Sequence, residues 1–278
     1  MSVPVALTVA SSDSGGGAGI QADLKAFARC GVYGASVVAA LTAQDTTAVH
    51  AVHACPPGFV AAQLDAVLAD LRPAAVKTGM LATAEAVEVV ADRVAGLPLV
   101  VDPVLVASSG AVLLAPDAVE VMLGRLFPLA SVVTPNLPEA QALTGLATGD
   151  RRLLAEALAD LGARAALVTG GHGEPIDHLF TGTRHVRIPV PRYATPATHG
   201  SGCTHSAALA AALARGDDLE TAARRAAAVA AEAVRQGLAG IGAGAGPVDA
   251  IGLAGRRPPE PIGGVSGPQP ARPSGSFG

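Results

Sequence analysis

The sequence predicts an α/β fold: a central, mostly parallel sheet with helices on both faces. Short β-branched apolar runs alternate with helical segments along the chain. The first such run breaks into a glycine-rich loop that opens a helix, the start of a βα unit. No internal repeat and no midpoint linker divides the sequence. With 278 residues, half of them apolar, one large core is within reach. A single domain over residues 1–253 is therefore expected. Residues 254–278 turn to Pro, Gly, Ser and Arg, a composition that predicts a disordered tail.

Taken in order, residues 5–10 form the first strand and residues 18–27 the helix behind its glycine loop. A second strand spans 35–41 and ends in Thr42-Ala43-Gln44-Asp45, polar groups at the strand edge where open α/β sheets bind ligands. Residues 49–54 read as a short strand. Pro56-Pro57 starts a helix through Leu71. Residues 74–78 are strand-like, and Thr83 caps a helix to about Ala95. Strand 97–101, helix 116–127, strand 130–134, helix 151–161 and strand 165–169 continue the alternation. Runs 176–180 and 185–190 flank Thr181-Gly182-Thr183 and suggest a hairpin. Two alanine-rich helices close the pattern near Leu238.

Charge and cysteine content narrow the partners. The formal net charge is −4 with no basic block, which argues against nucleic acid or an anionic membrane surface. Cys30, Cys55 and Cys203 are odd in number and far apart, so they make neither a disulfide framework nor a metal spacing. No segment is long and apolar enough for a membrane span, and Met1-Ser2-Val3-Pro4 lacks a charged leader region. The expected location is the cytoplasm.

The chemistry concentrates at Thr198-His199-Gly200-Ser201-Gly202-Cys203-Thr204. Its glycines let backbone N–H groups converge on one spot, and a helix starting there adds the positive end of its dipole. A thiol at a helix N-terminus is expected to have a lowered pKa and to serve as a base. An anion cradle beside a base suits phosphoryl transfer; a packed cysteine in a glycine-loosened turn is the bland alternative. Asp23 lies one helical turn beyond Gly19, either facing the loop's mouth or merely solvated. Asp102-Pro103 is either a Mg²⁺ ligand at a strand end or a turn opener. Asn136 and Glu139 have capping-box spacing.

Five blocks then fit together. Residues 12–25, Lys77-Thr78-Gly79-Met80-Leu81, Val101-Asp102-Pro103-Val104 with Ser109-Gly110, residues 134–140 and residues 198–204 resemble the hydroxymethylpyrimidine/phosphomethylpyrimidine kinases of thiamin biosynthesis. The resemblance runs from roughly residue 5 to 250, in order. It implies a ribokinase-like fold, a homodimer, and MgATP-dependent phosphorylation of hydroxymethylpyrimidine and then of its monophosphate. By position it implies that Asp23, Gln44, Gly19, Met80 and Val106 bind the pyrimidine. Gly200, Ser201 and Gly202 form the anion cradle, with Cys203 as base. Asn136, Glu139, Thr169 and Gly171 face the nucleotide, and Asp102 and Glu139 face Mg²⁺. Thr169 stands where the family usually carries Lys, which removes a charge from the nucleotide side. The competing expectations are a pyridoxal or pyridoxine kinase, and a pyrimidine-binding protein that has lost catalysis.

Overall fold

A computed structural model describes residues 3–105 and 115–255. Val106, Ser109, Gly110 and the stretch from residue 256 onward lie outside the described residues. Nine strands form one sheet: β1 Val5–Asp13, β2 Tyr33–Gln44, β3 Val49–Ala54, β4 Ala75–Thr78, β5 Leu99–Val101, β6 Val132–Val133, β7 Ala166–Val168, β8 Ile176–Phe180 and β9 His185–Pro189. Their spatial order is β3-β2-β1-β4-β5-β6-β7-β8-β9. The six strands from β2 to β7 in that order run parallel, while β3, β8 and β9 are antiparallel additions at the two edges. The β8–β9 hairpin falls where residues 181–183 predict it.

Among the described residues, eight α-helices fill the connections: α1 Gly19–Arg29, α2 Pro57–Asp70, α3 Ala84–Val94, α4 Pro116–Val121, α5 Leu137–Thr144, α6 Arg151–Asp160, α7 Ser201–Ala214 and α8 Leu219–Arg235. Thr83 is the N-cap of α3, its side chain accepting from the Ala86 amide, as the spacing predicts. The helix expected over 116–127 is only partly α-helical. After Val121 the chain passes through a π turn, Met122–Leu126, and a 3₁₀ turn, Phe127–Leu129. Pro128 explains the end, because it has no N–H to continue the ladder. The strand expected over 130–134 shortens to Val132–Val133.

Period-two alternation along the strands builds two apolar layers. Leu7, Val9, Val76, Leu99, Val101 and Val133 face α2 to α6. Ala6, Ala75, Val100, Val132 and Leu167 face α1, α7 and α8. The second layer is built of small residues. Ala207, Ala208, Ala210 and Ala211 of α7 are essentially inaccessible, so this helix lies close against the sheet. A helix apolar on all sides is a buried one, and α7 is central for that reason.

The chain leaves β1 for β2 on one side and returns to β4 on the other, so a topological switch point lies between β1 and β4. Crevices at the carboxyl ends of such strands are where open α/β sheets take ligands. Close to this end, the pairing of β1 with β2 shifts register between Ala10 and Ser12, a bulge that re-aims the strand's last residues.

Candidate active site

Two glycine loops meet at the switch point. Gly200 is the N-cap of α7 and adopts φ +80, a conformation that favours glycine. A side chain there would overlap the Gly17 carbonyl, so the loop after β1 sits directly on the start of α7. Ser201, Gly202 and Cys203 supply the first-turn amides of α7, which have no acceptor within their own helix. The Ser201 amide already donates to the Thr198 carbonyl at 3.1 Å, so the amides of Gly202 and Cys203, with the helix dipole, are the groups available to an anion of the kind expected from residues 200–202.

Cys203 sits in the first turn of α7, beside α1 and the ends of β4 and β5. The Gly19 amide donates toward its sulfur, which brings those two candidates together. The expected lowering of the thiol pKa is not found. Burial pushes the thiol up to about 12, with Asp23 and Asp102 adding to the effect and Lys77 and the Gly19 amide opposing it. Cys203 keeps intermediate exposure. The helix-terminus rule fails here because two carboxylates lie behind the sulfur and desolvation outweighs the dipole.

Asp23 also departs from expectation. It is fully buried and does not open onto the mouth. Its carboxylate accepts from Thr8 Oγ1 at 2.6 Å and from Lys77 Nζ at 2.9 and 3.0 Å. Lys77 is equally buried and stands 3.9 Å from Asp102 Oδ2. Burial pushes the Asp23 carboxyl up and would release the Lys77 proton. The neighbouring carboxylates outweigh that release, so Lys77 holds its proton more tightly than usual and the two stand as an ion pair. Asp102 in turn accepts from Ser206 Oγ on α7 at 2.8 Å. One cation thus ties α1, β4, the end of β5 and α7 together.

Asn136 and Glu139 form the capping box of α5: Asn136 Oδ1 accepts from the Glu139 amide, and Glu139 Oε2 accepts from the Asn136 amide, both at 2.9 Å. Burial and the charge of Asp102 push the Glu139 carboxyl up to about 8, against the amides of Asn136 and Leu105. The capping role is thus observed directly. Asp102 and Glu139 are two hard-oxygen donors close enough to repel, a set that suits Mg²⁺ held by one or two carboxylates and by substrate phosphates. Among the described residues no cluster of three or more His, Cys, Asp or Glu groups could hold a metal without other ligands.

The remaining candidates are placed as follows. Met80 is buried, and its carbonyl accepts from Ser11 Oγ at 2.8 Å. The Gln44 side chain accepts from Thr42 Oγ1 at 3.2 Å and lies 3.5 Å from His199 Nε2. Thr169 follows β7 and is partly exposed, and Gly171 is exposed on the same loop. Lys77, Asp13, His199, Asp177, His205 and Ser206 were not singled out from the sequence, and all take part. His199 Nε2 meets Asp13 Oδ2 at 3.1 Å, and His205 Nε2 meets Asp177 Oδ2 at 3.0 Å. Burial would raise Asp13, but His199 and the amides of Ala18 and Gly15 hold it below its ordinary value. The sequence signal for Lys77 is its position in an apolar strand. A lysine is almost never fully buried unless paired.

Comparison with known proteins shows the family. A family model described as phosphomethylpyrimidine kinase matches residues 13–249. A hydroxymethylpyrimidine/phosphomethylpyrimidine kinase of Synechococcus elongatus is 48% identical over 259 residues, covering 89% of this chain and 97% of the relative. The thiamine biosynthesis bifunctional protein ThiED of Geobacter sulfurreducens is 49% identical over 88% of this chain; the match spans 52% of that longer protein. Among solved structures, pyridoxal kinase from Staphylococcus aureus in complex with ADP superposes with a TM-score of 0.82 at 32% identity, covering 90% of this chain and 94% of that one. Phosphomethylpyrimidine kinase from Clostridium difficile superposes with a TM-score of 0.73 at 38% identity, covering 83% and 99%.

Lys77→Met leaves Asp23 buried without its cation and should cost about 3–5 kcal/mol in urea unfolding. Lys77→Met with Asp23→Leu removes both charges and should recover most of that loss. A double variant no more stable than the single would contradict the pairing. Glu139 gives a pH signature. Its folded value of about 8 lies above the ordinary 4.5, so between those values the folded state holds a proton that the unfolded state has released. Its contribution is present below the ordinary value and is lost as pH rises through about 8. Glu139→Gln should therefore flatten the fall in urea midpoint over that window; parallel curves for the two proteins would contradict the shift.

Proposed function

The chain belongs to the phosphomethylpyrimidine kinase family, and we propose the following division of labour among its residues. The protein is a hydroxymethylpyrimidine/phosphomethylpyrimidine kinase of thiamine biosynthesis with a ribokinase-like fold. The observation that carries the reading is the meeting of a glycine cradle, a thiol and two carboxylates at the switch point of the sheet.

The substrate alcohol attacks the γ-phosphorus of ATP in line, and the bond to the leaving ADP oxygen breaks as the new P–O bond forms. The amides at Gly200, Ser201 and Gly202 stabilise the charge that spreads over the equatorial oxygens. Cys203 accepts the alcohol's proton on sulfur. Gln44, Gly19 and Met80 orient the heterocycle, while Asp23 acts from behind through Lys77. Thr169, Gly171 and Asn136 border the nucleotide. Asp102 and Glu139 would hold Mg²⁺, whose chemistry is to neutralise phosphate charge. The location is cytoplasmic, consistent with the finding that no described helix is long and apolar enough to cross a membrane.

The solved pyridoxal kinases support a second reading in which pyridoxal is also accepted. In support of a homodimer, β3 is an edge strand, and Tyr33, Leu41, Val52 and Phe59 on or beside β2 and β3 are 57, 49, 46 and 61% exposed. An edge of this kind invites pairing.

Mixing the protein with MgATP and hydroxymethylpyrimidine should give products heavier by one and then two phosphates in a mass spectrum. No phosphorylated pyrimidine, or faster phosphorylation of pyridoxal, would displace the leading reading. A base whose pKa is pushed up is mostly protonated at neutral pH, so kcat should climb with pH. Cys203→Ala should lower kcat by about 10²–10⁴-fold and abolish that climb; an unchanged kcat would remove Cys203 from the mechanism. Light scattering should report a dimer that Val52→Asp converts to monomer, and a monomeric parent protein would contradict the edge assignment.

A further inference from the structure

Two buried Asp–His pairs reach α7 from opposite sides of the site, one to the residue just before it and one to its first turns. His199 immediately precedes Gly200, and its ring reaches Asp13 at the end of β1. The same Asp13 carboxylate accepts the amides of Gly15, Gly17 and Ala18 at 2.8, 3.1 and 2.8 Å, so it organises the whole first glycine loop. Any side chain on Gly17 would overlap the His199 ring. His205 lies within α7 and reaches Asp177 on β8. The other oxygen of Asp177 accepts the Gly170 amide at 2.6 Å, at the start of the loop that follows Thr169. Asp13, Asp177 and His205 are among the buried polar residues, and the His199 side chain is only 12% exposed.

The topology makes each pair a link between a ligand loop and the cradle. The first loop joins β1 to α1 and leads into Gly19, the first residue of that helix. The second joins β7 to β8 and carries Gly171. Neither loop is covalently near α7, and both are glycine-rich, so their placement relative to Ser201, Gly202 and Cys203 must come from tertiary contacts. A hydrogen bond to a charged group is stronger than a neutral one and is oriented. Buried Asp–His pairs of this kind also fix which ring nitrogen carries the proton.

We propose that His199–Asp13 and His205–Asp177 are two separate positioning pairs, the first registering the alcohol-side loop on the phosphoryl cradle and the second registering the nucleotide-side loop on it. The proposal rests on the kinase reading for the identity of the two ligands, although not for the existence of the two links. Neither histidine touches the reacting atoms. The geometry makes the two effects separable, because the pairs share no residue and hold different loops.

The test is a split in Michaelis constants. His199→Leu should raise KM for hydroxymethylpyrimidine by about tenfold or more and leave KM for ATP within about twofold, and His205→Leu should do the reverse. His199→Gln and His205→Gln place an amide N–H near the lost ring donor and should recover most of each change. If either Leu variant fails to fold, Asp13→Asn and Asp177→Asn, which keep side-chain shape while removing the charge, should give the same split in weaker form. Variants that move both constants alike, or neither, would overturn the proposal. A parent protein without kinase turnover would sink the kinase reading instead. Hydrogen exchange would then decide the links. His199→Leu should speed exchange of the Gly15, Gly17 and Ala18 amides about tenfold without affecting Gly170, and His205→Leu should act on Gly170 alone. Uniform acceleration at all four amides, or none, would rule the pairs out as separate links.

Discussion

Everything at this site is arranged around one buried cation. Lys77 lies in β4 beside the switch point, with Asp23 bonded to it and Asp102 a little farther away. Both neighbours carry negative charge that the interior would otherwise not tolerate, and an isolated carboxylate in such surroundings would take up a proton. The pairing with Asp23 anchors α1 to β4. The approach to Asp102, continued through Ser206, anchors α7 to the end of β5. A buried pair adds little net stability compared with apolar packing, but losing one partner is costly. Its value here is register: it fixes where the N-terminus of α7 falls relative to three strand ends.

The alanines of α7 serve the same purpose by packing. A helix of leucines would stand farther from the sheet, since interaxial distance follows side-chain size at the contact. Ala207, Ala208, Ala210 and Ala211 bring α7 close to Ala6, Ala75 and Val100, and so bring Gly200 into direct contact with Gly17. Close packing and the glycine-to-glycine contact are one constraint seen at two distances. The sequence places both in the same block, a glycine loop followed by an alanine run.

That block explains why much of the fold could be read in advance. Strand alternation and helix caps are local, so β1, β3, the Thr83 cap, the β8–β9 hairpin and the Asn136–Glu139 box all follow from neighbouring residues. What escaped was long-range. Asp23 looked like a helix residue near a mouth because nothing close in sequence announces that Lys77 comes to meet it. His199 and His205 have partners at positions 13 and 177, beyond the reach of any spacing rule. Cys203 failed for a related reason. The dipole at a helix start is a local property, whereas the burial and the carboxylates that push its thiol up arrive from other elements. The π turn after Val121 has no signal that separates it from ordinary helix, although Pro128 marks where helix must stop.

The raised thiol and the raised Glu139 share a cause, and that common cause constrains how the site can work. Burial is the larger contribution to both shifts, and Asp102 adds to each. Both shifts favour the protonated form of groups proposed to act as a base and as an oxygen ligand. Neutralising Asp102 would remove the like-charge part of both shifts and leave the part due to burial. Lys77 cannot do this alone, since Asp23 engages it at much shorter distance. A cation held by Asp102 and Glu139 would weaken the repulsion that Asp102 exerts on the Cys203 thiol, while the larger contribution of burial would stay. In the proposed mechanism, proton acceptance by the sulfur would therefore be easier with the phosphate donor bound than without it.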